Sequence, residues 1–525
     1  MADKLADLPS PFLIKGMDAG VARIVEAIQS GEKIVLYGDY DVDGVCSTSL
    51  MNLFLNDLGA VVSTYIPHRI REGYGLNLSA VEMLAKQGNT LMITLDCGIT
   101  SVSEVGQANR LGMEVVIVDH HTVPSVLPPA KAILNPHQPG CQYPTPHLCA
   151  AGVAFNLCLG LRKALRDQGH FSKRPEPNLK SLLDLVAIAT IADVVPLTGA
   201  NRVFVKVGLE ALTEGRRPGV RALKEVSGLL QGEEITAGQV GFRLGPRLNA
   251  AGRLDDASTG LKLLCCATVE DARPLAQLLE SANAERQSIE KLILLEALKQ
   301  AGERPHTRGL VLHSEGWHPG VVGIVASRVV EAFSKPTIVI AVKEGIGRGS
   351  GRSIASFHLF DALEQCSQHL EKFGGHKHAA GLTIQAKSLA AFTEAFERHA
   401  AEKVTDEDLV PSCKVDAFVV LSEITEELVN ALHKLGPFGN GNPEPVLASR
   451  RINASGRVLA GKASGKGHLK LSLTAGPHLD AIGFGMADSL TLTEGPLDIA
   501  FQVSIDTWKG VRKISLKMKD LRISA

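Results

Sequence analysis

Four short β-rich runs pace the first 120 residues: KIVLY (33–37), VVSTYI (61–66), TLMITL (90–95) and EVVIVD (114–119). Between them lie AVEMLAKQG and SVSEVGQANRLG, which read as helices stopped by Gly88 and Gly112. Strands joined through helical crossovers pair in parallel, because a tight hairpin cannot return the chain in the same direction. The expected core is therefore an open α/β sheet. In such a sheet the carboxyl ends of the strands share one crevice, and ligands bind there.

Three of the strands deliver polar, ionisable residues to that end. IVLY runs into Asp39, Asp41 and Asp43; MITL runs into Asp96; VVIV runs into Asp119, His120 and His121. Further along, the apolar segment LVAIATIADVV carries Asp193, an acid that is costly to bury without a cation or hydrogen-bond partners. The stretch GDYDVDG invites comparison with a calcium loop, since D-x-D-x-D-G opens an EF-hand. Counting from Asp39 puts Gly44 correctly at position six but Leu50 at position twelve, where the loop needs a bidentate Glu. The preceding KIVLY is also a strand, not an entering helix, so the calcium reading fails.

A set of carboxylates with one or two imidazoles suits Mn²⁺ or Mg²⁺ better than zinc, which favours thiolate and imidazole. So many acids exceed what one divalent ion can balance. Two ions ~3.5–4 Å apart, with an Asp between them, would balance them and would suit attack of water on a phosphodiester.

The rest of the chain extends this plan. Residues 269–302 combine an apolar stripe with dense charge, which predicts a helix of ~50 Å connecting two domains. A second α/β unit follows, from RGLVLHSEGWHPG through FGGHKHAAGLTI. After about Cys413, RINASGRVLA, GHLKLSLTA, HLDAIGFGM, LDIAFQVSIDTW and VRKISLKMKDLRI read as five short strands of a small β-barrel. The expected division is 1–215, 216–305 (helical, with the long connector), 306–410 and 411–525. Net charge is −1, yet residues 446–525 carry 12 Lys and Arg against 6 Asp and Glu, a balance that suits a polyanion. The nine cysteines form no C-x-x-C pair, the opening MADKLADLPSPF lacks the pattern of a secretory leader, and the apolar runs are too short for a membrane span. We therefore expect a cytoplasmic protein.

At the acids and the strand-terminal Asp119-His120-His121 the chain resembles the DHH phosphoesterase superfamily. GDYDVDG, LDCGIT, VVIVDHH and ATIADVVPL resemble its four motifs, and FGGHKHAAG (373–381) resembles the signature of the associated DHHA1 domain. GPRLNAAGRLDDA (245–257) and GPFGNGNPEPV (436–446) point to the branch of bacterial single-strand-specific DNA exonucleases. The resemblance implies a parallel-sheet DHH domain and a smaller α/β DHHA1 domain joined by a long helix, with an OB-fold behind them. It implies 5′-to-3′ degradation of single-stranded DNA to mononucleotides in recombinational and mismatch repair, with a helicase and a single-strand-binding protein as partners; the expected state of the chain is a monomer. By match to the motifs, Asp41, Asp43, Asp96, His120 and Asp193 are the metal ligands, with Asp39 beside them and Asp96 as the bridge. Some relatives place a metal-binding His where this chain has Tyr37, so either Asp39 completes that ion's shell or the ion is held more loosely. His121, next to Asp119, is the candidate to orient a ligand or protonate the leaving oxygen. Relatives acting on short oligoribonucleotides or cyclic dinucleotides share the first two domains; relatives that only bind nucleic acid have lost the acids.

Substrate contacts are expected from basic and glycine-rich loops. Arg69 and Arg71 follow the second strand, Arg247 and Arg253 lie in GPRLNAAGR, and Arg348, Ser350 and Arg352 lie in GRGSGRS. Gly374, Gly375, His376 and His318 are candidates for the scissile or an adjacent phosphate. Trp508, amid Lys509, Arg512 and Lys513, is the candidate stacking surface for a base.

Overall fold

A computed structural model of the chain describes residues 4–69, 72–254, 257–460, 467–473, 479–508 and 511–524. The expected parallel sheet is present, as β1 (Lys33–Gly38), β2 (Val61–Tyr65), β3 (Leu91–Leu95), β4 (Glu114–Val118) and β5 (Ala132–Leu134) in the order β2-β1-β3-β4-β5. Every pairing is parallel. The direction of winding reverses between β1 and β3, and the strand-end acids Asp39 and Asp96 flank that switch point. β5, a three-residue strand in AKAILNP, was not foreseen; it is too short to carry a periodic signal.

Both faces of the sheet are covered. Helices Val42–Asp57, Ala150–Asp167 and Leu183–Ala192 form one core with Ile34, Leu36, Ile93 and Val116, while Leu78–Lys86 and Val102–Arg110 pack the other around Val35, Tyr37, Met92 and Val115. Burial on both sides explains why these strands are continuous apolar runs.

Helix Val269–Gly302 is the connector expected from its charge pattern. Its first half packs on helices Pro218–Val226 and Gly245–Leu254, and its second half on helix Val322–Phe333 and β6 (Leu310–Ser314). With β7 (Thr337–Lys343), β8 (Ile346–Arg352), β9 (Lys372–Gly375) and β10 (Ala379–Gln385), β6 builds a mixed sheet in the order β6-β7-β8-β10-β9.

The C-terminal sheet has seven strands among the described residues, not five: β11 (Ala417–Phe418), β12 (Leu447–Ile452), β13 (Ala454–Leu459), β14 (His468–Leu473), β15 (Asp480–Gly483), β16 (Leu497–Trp508) and β17 (Val511–Ile523). RINASGRVLA divides at Asn453: β12 pairs with β16 and β13 with β14. The break follows a register shift between Ser449 and Ile452 and a left-handed Arg451 (φ 54°). Since β12 lies next to one edge of the sheet and β13 is the opposite edge, a single intervening residue requires the sheet to curl until its edges meet. Among the described residues no helix is long and apolar enough to cross a membrane.

Candidate metal centre

The strand-end acids are fixed by the sheet itself. The amide of Asp39 donates to the carbonyl of Leu95, that of Asp96 to Val118, and that of Asp119 to Leu134, so each acid extends the hydrogen-bond ladder one step past its own strand. Asp41 caps helix Val42–Asp57, accepting from the amides of Asp43 and Gly44. Gly44, the residue that suggested a calcium loop, serves close packing: a β-carbon there would lie 2.4 Å from the carbonyl oxygen of Asp39. Gly44→Ala is expected to destabilise the fold by about 2 kcal/mol, since backbone must move to admit the methyl, and to weaken Mn²⁺ binding with it. Thermal unfolding and a Mn²⁺ titration check both effects.

Asp43 is buried at the start of helix Ala150–Asp167, where the amides of Ala150 and Ala151 donate to its two oxygens at 2.6 and 2.8 Å. Nε2 of His120 lies 3.1 Å from Asp96 Oδ1 and 3.6 Å from both Asp43 Oδ2 and Asp193 Oδ2. Among the described residues three overlapping triads place candidate ligand atoms within 4.8 Å of one another: Asp39, Asp41 and Asp96; Asp43, His120 and Asp193; and Asp96, His120 and His121. Asp96 and His120 each belong to two triads.

Electrostatics report crowding. Burial, then the charge of Asp41, pushes the Asp43 carboxyl up to about 7; burial, then Asp43 and Asp41, pushes Asp193 up to about 8. Asp39 and Asp96 are raised well above the usual carboxylate range for the same reasons. Burial and the neighbouring His121 hold His120 down at about 4, so it presents a neutral imidazole. A buried carboxylate oxygen without a hydrogen bond is expensive, and two occur here: Asp39 Oδ1 and Asp96 Oδ1. The 3.1 Å approach of His120 to Asp96 Oδ1 lacks hydrogen-bond geometry, as expected of two atoms that serve a common cation. Five carboxylates, a neutral imidazole and two orphan oxygens fit divalent cations of the Mn²⁺ or Mg²⁺ type.

Asp119 stands apart from these ligand atoms. One of its oxygens accepts from the amides of His120 and His121 and lies 2.7 Å from His121 Nδ1, and the other accepts from the amide of Ile99. Its carboxyl is held low: burial opposes ionisation, and the His121 contacts outweigh it. For His121 burial acts downward, but Asp119 raises it to about 9. The result is an ion pair beside the metal cluster.

The other candidates are placed unevenly. Arg69 stacks over Tyr40, 4.9 Å from the ring centroid, and so reaches the acidic loop. Arg71 lies outside the described residues, as do the side chains of Arg253 and Trp508. GPRLNAAGR is a helix, Gly245–Leu254, and not a loop; Gly252 lets it approach the Tyr40 carbonyl, where a β-carbon would sit at 2.5 Å. Arg247 is engaged by an ion pair with Glu280 of the connector and donates to the Arg243 carbonyl. GRGSGRS is likewise a strand, β8. Gly347, Gly349 and Gly351 face Ile340, Ile384, Leu382, Ile338 and Leu359 where no side chain fits, and the alternate face carries Arg348, Ser350 and Arg352. Ser350 and Arg352 meet Gly323 at the start of helix Val322–Phe333. His318 Nδ1 accepts from the Gly320 amide in the turn before that helix. His376 reaches a cleft of about 680 Å³ that it shares with His120, His121 and His137, and the positive φ of Gly375 (142°) shapes the turn before it. Gly374 lies in β9 beside it.

Sequence reasoning missed Tyr74, whose hydroxyl donates to the Asp96 carbonyl and contacts His121, and His137 in the cleft. Tyr74 lies in HRIREGYG (68–75), a stretch read for Arg69 and Arg71 and not for its tyrosine, and His137 sits in no periodic or motif context.

Comparison with known proteins agrees with this layout. Family models match as "DHH family, N-terminal domain" over residues 33–190, "DHHA1 domain" over 306–402 and "RecJ OB domain" over 415–520. The chain is 39% identical to the single-stranded-DNA-specific exonuclease RecJ of Bacillus subtilis, over 99% of its own length and 65% of that protein. It is 39% identical to the RecJ of Dickeya dadantii, over 97% of its own length and 91% of that protein. The crystal structure of Thermus thermophilus RecJ in complex with Mn²⁺ superposes with a TM-score of 0.84 at 32% identity, covering 98% of this chain and 72% of that one. The same Thermus protein has been solved with Mg²⁺. Three domain matches in order, 39% identity along 97% of this chain and 91% of a relative, and a common fold place this chain in the RecJ family of DHH-domain proteins.

Proposed function

We propose that this chain is a metal-dependent exonuclease that hydrolyses single-stranded DNA from the 5′ end to mononucleotides. The observation that carries this reading is the acidic cluster with orphaned oxygens on Asp39 and Asp96, beside a cleft that its histidines His120 and His121 line together with His376. Bound Mn²⁺ or Mg²⁺ would supply a water of lowered pKa and a Lewis acid for the scissile phosphate. The protein's own groups do the rest. Asp39, Asp41, Asp43, Asp96, His120 and Asp193 hold the ions. His121, charged by its pairing with Asp119 and in contact with the Tyr74 hydroxyl, is placed to protonate the leaving oxygen.

Polarity is assigned to β8. Arg352, whose Nη1 donates to Ser350 Oγ at 3.0 Å, and the first amides of helix Val322–Phe333 together favour a dianionic terminal phosphate. Arg352→Ala is expected to cut the preference for 5′-phosphorylated over 5′-hydroxyl ends by about 10-fold, with hydrolysis itself retained. Competition between the two substrates measures this directly. The family's names give single-stranded DNA as their substrate; by resemblance the reading adds a place in recombinational and mismatch repair with a helicase and a single-strand-binding protein as partners, and we take the protein to be a cytoplasmic monomer.

The deciding assay pairs Mn²⁺ with single strands labelled at either end. Mononucleotides released progressively from the 5′ end support the proposal. Release from the 3′ end, or cleavage confined to dinucleotides, refutes it.

A further inference from the structure

The turn that carries Asp193 is held from another domain. Asp193 is the C-cap of helix Leu183–Ala192, and Val194 directly after it adopts a left-handed backbone (φ 57°). A β-branched residue in that region is strained. The Val194 side chain does not enforce the turn, because it is 63% exposed. Hydrogen bonds to the backbone hold it instead. Asn440, in the loop between helix Glu426–His433 and β12, donates from Nδ2 to the Val194 carbonyl at 2.6 Å, and its own carbonyl accepts from the Leu197 amide at 2.7 Å.

The loop is shaped for this contact. Gly439 presses on Leu197 and Gly441, at φ 70°, on Pro196; β-carbons there would lie 2.7 and 2.8 Å from those side chains. Arg202, buried in helix Gly199–Glu214, anchors the near end of the loop by donating to the Leu435 carbonyl at 2.7 Å. Asn442 braces the same loop from within, donating to the carbonyls of Leu435 and Pro437. From the same helix as Arg202, Asn201 donates to the Pro196 carbonyl. Residues 194–197 are thus gripped from the DHH domain and from the C-terminal domain together.

We propose that Asn440 is a positioning residue for Asp193: the C-terminal domain completes the metal centre by holding the Asp193–Val194 turn in its left-handed form. The inference rests on the assignment of Asp193 as a metal ligand. It makes ion occupancy of the Asp43, His120 and Asp193 cluster and seating of the 436–442 loop two readings of one equilibrium, so that each favours the other. A strand that binds more tightly when this loop is seated would thereby tighten the catalytic ion.

The test is calorimetric titration of the full chain with Mn²⁺ alone, which needs no catalysis. Asn440→Ala is expected to weaken one of two ions by about 10-fold and leave the other unchanged. Val194→Gly in the Asn440→Ala background should recover most of that loss, because glycine takes a left-handed φ without strain. Wild-type affinity for both ions in Asn440→Ala overturns the proposal. So does equal weakening of both ions with no recovery by Val194→Gly, the signature of a general loss of fold, which circular dichroism would show in parallel. Asp193→Asn separates the premise from the inference: if it still binds both ions as tightly as wild type, the ligand assignment fails rather than the clamp.

Discussion

Asp96→Asn is expected to lower single-strand hydrolysis on the order of 10³-fold or more while leaving the metal-free protein at least as stable as wild type. The two halves of this result have one cause. Among the described residues Asp96 belongs to two of the three acid and histidine triads, and its buried Oδ1 has no hydrogen-bond partner, so removing its charge removes the group proposed to bridge the two ions. The same charge is a liability without metal. Burial and the carboxylates of Asp43, Asp41, Asp39 and Asp193 all disfavour its ionisation. Asparagine keeps the shape, tolerates the left-handed φ of 67° found there, and retains the amide bond to Val118. Activity assays with Mn²⁺ and thermal unfolding in EDTA measure the two effects. A variant that is inactive but also unfolds early would assign Asp96 to the fold instead of the ions.

The metal centre was legible in the sequence because strand ends and acids coincide in it. An apolar run followed at once by Asp39, Asp96 or Asp119 specifies both an element and its end, and parallel topology then converges the ends. Asp193 was legible because an acid at the end of LVAIATIADVV conflicts with its surroundings. What stayed hidden depends on tertiary contact. GRGSGRS looks like a flexible loop until its glycines are seen packed against Ile340, Leu382 and Leu359, and only then does the alternation of arginine and serine become a strand face. The pairing of Arg247 with Glu280, 33 positions on, is equally invisible to a local motif. The break at Asn453 is invisible to a pattern of alternating residues, since the alternation of Ile452, Ala454 and Gly456 with exposed neighbours runs straight through it while the strand partners change. The clamp on Val194 joins residues 246 positions apart, a separation that no local signal spans.

Proton release should accompany metal binding, and its sign follows from the centre's titration. Without metal, Asp43 (about 7) and Asp193 (about 8) hold protons that an unfolded chain gives up near the ordinary value of 3.8. A group whose folded pKa is raised stabilises the fold fully below the unfolded pKa and loses that contribution as pH rises through the folded one. The contribution of these two carboxyls is thus present at about pH 4 and gone above about pH 8. Metal reverses the demand, because ions bind carboxylates and not carboxylic acids. Mn²⁺ affinity is therefore expected to rise on the order of 10²-fold between about pH 6 and pH 8, with protons expelled at the lower end. The neighbouring imidazoles do not add to that slope: His120, at about 4, is already neutral, and His121, at about 9, remains charged through most of the interval. Over the same interval the thermal midpoint in EDTA should fall and the gain on adding Mn²⁺ should grow. Calorimetry in two buffers of different ionisation enthalpy counts the protons, and Asp193→Asn should flatten the dependence. An affinity unchanged from pH 6 to pH 8 would show that the carboxylates are already ionised before metal arrives, with their repulsion relieved by water or by cationic neighbours such as Arg69, whose charge acts on Asp39.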